Sequence, residues 1–137
     1  MAKNEEFIPK WIAWESTQRC NLNCVHCRAA ATRGPYSGEL DTPAALQLLD
    51  QIAAVGRPIV ILTGGEPLLY PDIDTLVMQA KTKHRFKKLT LLTNGLLLTK
   101  DANILPYLDR LVISLDSLDT ARWGQTIGLD SRAAEHI

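Results

Sequence analysis

Pro58-Ile-Val-Ile-Leu-Thr-Gly-Gly-Glu-Pro67 decides the fold. Its apolar run is short, rich in β-branched residues, and bounded by proline and a glycine pair. That combination reads as a buried strand. Helical patterns flank it. Upstream, Asp41-Thr42-Pro43 offers a capping residue followed by a proline suited to a first helical turn. Ala45, Leu48, Leu49, Ile52 and Val55 then make one apolar face, and Gly56 suits the C-terminal cap. Downstream, Pro71-Asp72 opens a second helix with Ile73, Leu76, Val77 and Ala80 on one face. An apolar strand between amphipathic helices belongs in a parallel sheet covered on one or both faces.

The pattern repeats. After a polar lead-in (residues 1–10), Trp11–Ser16 reads as a first strand, and residues 28–40, with Gly34-Pro35 and Gly38, as a loop. Leu89–Thr93 is a third strand. A short helical piece runs from Thr99 to near Pro106. Leu111–Leu115 is a fourth strand, and residues 119–137 read as broken helix ending in the start of another. An eight-unit βα barrel takes about 250 residues. With 137 residues, four units fit. The expected fold is α/β, a partial (β/α) TIM-like barrel within one domain.

Composition narrows the function. Apolar residues make up 46% of the chain, enough for a real core, and the formal net charge is zero. Nothing favours nucleic acid or an anionic membrane as partner. No apolar run approaches the ~20 residues of a membrane span. The polar N-terminus shows no signal-peptide core, and three thiols without a targeting segment fit a cytoplasmic location. No internal repeat is visible.

Those three thiols lie in eight residues, Cys20-Asn-Leu-Asn-Cys24-Val-His-Cys27. Three thiolates suit a four-iron, four-sulfur cluster in which one iron stays open to a small molecule. Two other readings remain. Zinc could use the three cysteines with His26, although adjacent His26 and Cys27 reach one tetrahedral ion with difficulty. Cys24 and Cys27 alone could form a redox pair.

In parallel α/β folds, sites form at the carboxyl ends of strands. Every unusual cluster sits there. The cysteines follow strand one. Gly64-Gly65-Glu66-Pro67 follows strand two and lets backbone approach a ligand; in isolation it is a plain turn with an exposed glutamate. Thr93-Asn94-Gly95 follows strand three. By itself it signals a hairpin, but the helical patterns on both sides argue for a βα loop. Ser114 and Asp116 end strand four and project the same way, unless they merely cap the strand. Glu15 and Arg28 read as solvated or paired residues, and Trp11, Trp14 and Trp123 as packing residues.

The Cys-x3-Cys-x2-Cys spacing resembles the signature of the radical S-adenosylmethionine (radical SAM) enzymes. The resemblance implies a [4Fe–4S] cluster on Cys20, Cys24 and Cys27. It also implies reductive cleavage of S-adenosylmethionine (AdoMet) to a 5′-deoxyadenosyl radical that abstracts hydrogen from a substrate. It places Gly64, Gly65 and Glu66 at the AdoMet amino group, Asn94 nearby, and His26 beside the adenine. Ser114 and Asp116 fall to the ribose hydroxyls or the carboxylate. Ala13-Trp14-Glu15-x-Thr17-x-x-Cys20-Asn21-Leu22, with His26-Cys27-Arg28-Ala29 and Gly38-Glu39-Leu40, looks like the heme b synthase-like subgroup and its peptide- and cofactor-maturing (SPASM-type) relatives. That implies a heme precursor or a peptide as substrate, and a ferredoxin or flavodoxin as electron donor. On this likeness residues 1–137 are the N-terminal portion of a radical SAM domain, which a second polypeptide could complete. The rivals are a non-catalytic iron–sulfur or zinc module and an inactive half barrel.

Overall fold

The computed structural model describes residues 7–128. Four strands, β1 (Trp11–Thr17), β2 (Ile59–Gly64), β3 (Lys88–Thr93) and β4 (Arg110–Ile113), form one parallel sheet in the order β1-β2-β3-β4. Trp14, Leu62, Leu91 and Leu111 lie in one row across it. Helix α1 (Thr42–Val55) joins β1 to β2, and α2 (Ile73–Thr82) joins β2 to β3. Helix α3 (Thr120–Ile127) follows β4. The α/β, partial-barrel expectation holds.

Side chains alternate across a strand, and one set is buried throughout. Val60 and Leu62 of β2 and Leu89 and Leu91 of β3 share a core with Ala45, Leu49 and Ile52 of α1 and Ile73, Leu76 and Val77 of α2. Each fully buried leucine stabilises the fold by about 1.5–3 kcal/mol. Strands in sequence order joined by crossovers of one hand carry their helices on one side. The other face is less covered: Trp11 is 63% and Val112 37% exposed. Trp11 is therefore not the packing residue expected. Trp14, on the covered face, meets Tyr70 edge-on at 6.5 Å.

Local chemistry explains most element ends. Asp41 caps α1 by accepting from the Ala44 amide at 2.9 Å. At the start of α2, Asp72 is left-handed (φ 56) with no side-chain cap bond. It instead accepts from the Thr42 hydroxyl at 2.7 Å. Asp109 pins the start of β3, accepting from the Leu89 amide at 2.8 Å and from Lys81 Nζ at 2.6 Å.

Three readings change. The piece from Thr99 is a 3₁₀ segment over Ala102–Tyr107, because Pro106 lacks the amide that a further α-turn needs. Strand four stops at Ile113 rather than Leu115. The first part of residues 119–137 is a regular helix. Asp119 caps it through the Arg122 amide at 2.8 Å, and left-handed Gly128 closes it. Residues 129–137, with the second helix start expected there, lie outside the described residues.

Leu76→Ala should lower the unfolding free energy by about 3 kcal/mol, since Leu76 is fully buried between helix and sheet. Urea unfolding followed by circular dichroism measures this. An unchanged midpoint would mean that this interface is not the core.

Candidate cofactor site

Parallel strands bring their carboxyl ends to one rim, and backbone bonds tie the rim loops together. The Gly65 amide donates to the Thr17 carbonyl and the Glu66 amide to the Arg19 carbonyl, each at 2.7 Å. This contact explains the glycine pair. A Cβ on Gly65 would stand 2.2 Å from the Arg19 oxygen, and one on Gly64 (φ 123) 2.3 Å from the Thr17 oxygen. The sequence suggested glycines that admit a ligand. The tightest approach here is instead to the backbone leading into the cysteine loop.

Glu66 is not the exposed glutamate of a plain turn. It is fully buried. Its Oε1 accepts from the Leu68 amide (3.0 Å) and the Thr93 hydroxyl (2.7 Å), and its Oε2 from the Asn94 amide (2.8 Å). One carboxylate thus joins the loop after β2 to the loop after β3. Burial pushes this carboxyl above the usual range, against the opposing pull of the Asn94, Thr93 and Leu68 donors.

Thr93-Asn94-Gly95 makes no hairpin. β3 pairs in parallel with β4, and the Ser114 amide donates to the Thr93 carbonyl at 2.9 Å. Asn94 Nδ2 donates to Asn21 Oδ1 at 2.7 Å, which ties this loop to the cysteine loop.

These loops enclose a cavity of about 330 Å³, within the range of small-molecule sites. It is lined by Cys20, Cys24, Cys27, His26, Gly64, Gly65, Asn94, Ser114 and Asp116, every residue singled out from the sequence except Glu66. Glu66 lies behind the wall. Ser114 and Asp116 reach the cavity from beyond the strand, not by alternation along it. His26 Nε2 stands 3.4 Å from Asp116 Oδ1. Glu15 and Arg28 pair with each other at the rim.

Sequence reasoning missed α3 as a wall of this cavity. Trp123 and Ile127 pack with Leu22, against Cys20 and Cys24. The Asn23 amide donates to the Ile127 carbonyl (3.2 Å) and the Val25 amide to the Thr126 carbonyl (3.0 Å). The signals were present in the Asp119 cap, the i, i+4 apolar pair and Gly128.

All three cysteines are free and partly buried. Burial raises the Cys20 and Cys24 thiols above their ordinary range, so metal binding there must release protons. The Leu22 amide donates to Cys20 Sγ at 3.4 Å and the Ala31 amide to Cys27 Sγ at 3.5 Å. Three thiols on one cavity, two already receiving N–H donors, fit an iron–sulfur cluster. Among the described residues, no group of three or more Cys, His, Asp or Glu side chains is arranged to hold a single metal ion.

Comparison with known proteins decides the family. The family model for the Radical SAM superfamily matches residues 14–128. The chain belongs to the radical SAM superfamily. This superfamily works with a [4Fe–4S] cluster and AdoMet. The chain is 46% identical over 93 residues to the AdoMet-dependent heme synthase of Methanosarcina barkeri, covering 68% of this chain and 26% of that protein. It is 39% identical over 117 residues to the GTP 3′,8-cyclase of Lactiplantibacillus plantarum, covering 82% and 35% respectively. Among solved structures, Streptococcus suis SuiB bound to S-adenosylmethionine superposes with a TM-score of 0.76 at 26% identity, over 91% of this chain and 29% of that one. The radical SAM chain therefore spans about a quarter of the length of the heme synthase it matches. The heme synthase-like likeness read from the motifs is borne out. No helix among the described residues is long and apolar enough to cross a membrane.

The raised Glu66 carboxyl carries a pH signature. The fold holds this proton where the unfolded chain, at about pH 4.3, has released it. Its contribution is complete below that value and is lost as pH rises through the raised folded value. Glu66→Gln cannot titrate. Above about pH 4, its unfolding free energy should fall less steeply with rising pH than that of the wild type in urea titrations. Equal slopes would show that Glu66 is not the titrating group.

Proposed function

We propose that this chain forms the cluster- and AdoMet-binding part of a radical SAM enzyme acting on a heme precursor. One observation carries the reading: Cys20, Cys24 and Cys27 share one cavity with the three loops that follow β2, β3 and β4. The three thiolates would hold a [4Fe–4S] cluster. Bound there with AdoMet, the cluster supplies one-electron cleavage to a 5′-deoxyadenosyl radical and hydrogen abstraction from substrate.

The protein's own part is to bind, orient and exclude water. The backbone at Gly64 and Gly65, the Asn94 side chain, and Ser114 would hold the polar portions of AdoMet. His26, oriented by Asp116, would lie against the adenine. Glu66 would act from behind, fixing Asn94 through its amide. Leu22, Trp123 and Ile127 keep the thiol side of the cavity apolar. The electron would come from a ferredoxin or flavodoxin.

The likeness to AdoMet-dependent heme synthases supports the heme precursor. A peptide is the second reading, supported by likeness to SuiB bound to its precursor peptide SuiA (TM-score 0.76, 27% identity). The exposed face with Trp11 and Val112, and the open β4 edge, would receive further βα units, from the same chain or a second polypeptide. A zinc module would need four converged ligands, and His26 faces Asp116.

Anaerobic reconstitution with iron and sulfide tests the reading. The wild type should take up about four irons per chain, and AdoMet should change the EPR spectrum of the reduced cluster. Cys24→Ala should lose both the iron and the AdoMet response. Stoichiometric zinc, or loaded protein indifferent to AdoMet, would overturn the proposal.

A further inference from the structure

Among the described residues that line the cavity, one buried side-chain polar atom has no partner. Trp123 is 5% exposed, and its indole Nε1–H is buried without a hydrogen bond. Arg19 Nε and Asp101 Oδ2 share that state among the described residues, but neither residue lines this cavity, and Arg19 Nε has Glu39 Oε2 at 3.5 Å. Buried donors without an acceptor are rare, and a missing ligand is one physical reason for them. Packing alone does not explain the indole. A phenylalanine would cover Leu22 and Ile127 without stranding a donor, and buried tryptophans normally find a partner for their N–H.

The surroundings say which acceptor is missing. Trp123 lines the cavity together with the three cysteines and belongs, with Leu22 and Ile127, to the apolar cluster against which Cys20 and Cys24 pack. Cys20 and Cys27 each already receive a backbone N–H at sulfur. Among the described residues, the hydrogen bonds that reach cysteine sulfur from other residues go to Cys20 and Cys27, and none goes to Cys24. We propose that Trp123 Nε1–H donates a hydrogen bond to a sulfur of the iron–sulfur group held by Cys20, Cys24 and Cys27. This rests on the cluster reading above. Such a bond stabilises the more negative, reduced state of a cluster and so raises its reduction potential. Trp123 thereby sets the ease with which the group accepts an electron, while its ring excludes water.

Trp123→Phe keeps the ring and removes only the donor. Wild type, W123F and W14F, a control outside the cavity, would be reconstituted anaerobically and titrated electrochemically with EPR detection. The expected result is equal iron content in all three, a more negative potential in W123F alone, and unchanged AdoMet affinity. Equal potentials in loaded wild type and W123F would overturn the inference. So would an unchanged potential with weakened AdoMet binding, which would assign the acceptor to AdoMet. Should W123F fail to fold, the wild type still decides. Its Trp123 indole proton should exchange with solvent more slowly after cluster loading than before, and equal exchange overturns the inference. Wild type that takes up no iron defeats the cluster reading itself, whereas a loaded protein indifferent to W123F defeats this inference alone.

Discussion

Two consecutive amide donations hold the site together. Gly65 and Glu66 give their N–H groups to the carbonyls of Thr17 and Arg19, so the loop after β2 becomes a shelf for the chain entering the cysteine loop. The shelf works only because neither glycine carries a side chain in the path. Glu66, held by the second of these bonds, turns its carboxylate inward to Thr93 and Asn94. Asn94 in turn reaches Asn21 in the cysteine loop. The three loops form a closed circuit, and loosening one bond would shift sulfur positions several residues away.

The circuit makes a cavity of mixed character. On one side lie the partly buried thiols of Cys20 and Cys24 against Leu22, Trp123 and Ile127. On the other lie polar groups from the ends of β2, β3 and β4. An apolar wall next to thiols disfavours their ionised form, so a metal must displace protons as it binds. It also keeps bulk water from the sulfur ligands, and that exclusion raises the weight of every remaining hydrogen bond. A polar opposite wall suits a ligand with charged and hydroxyl groups.

The sheet and its first two helices were legible because their signals are local: apolar period, capping residue, punctuating glycine and proline. Thr93-Asn94-Gly95 needed a wider window. Its local preference is a hairpin, the helical patterns on both sides argue for a crossover loop instead, and the parallel pairing of β3 with β4 agrees with that reading. Ser114 and Asp116 line the cavity with the cysteines by another route than strand alternation, since the strand ends before them and the Thr93 carbonyl holds Ser114 in place. The inward turn of Glu66 depends on partners in another loop, and no pattern around residue 66 announces them. Helix α3 was under-read although its caps were visible. Gly124 and two threonines dilute its helical signal.

The docking of α3 on the cysteine loop has a temporal side. Asn23 and Val25 reach their carbonyl partners on Ile127 and Thr126 only after roughly 100 further residues have been made. At about 5–20 residues per second on the ribosome, the nascent chain shows three bare thiols to the cell for some 5–20 seconds. The cysteine loop is fully braced only once α3 has docked on it. Anything that slows translation across this stretch lengthens the interval in which the thiols meet oxidants or the wrong metal.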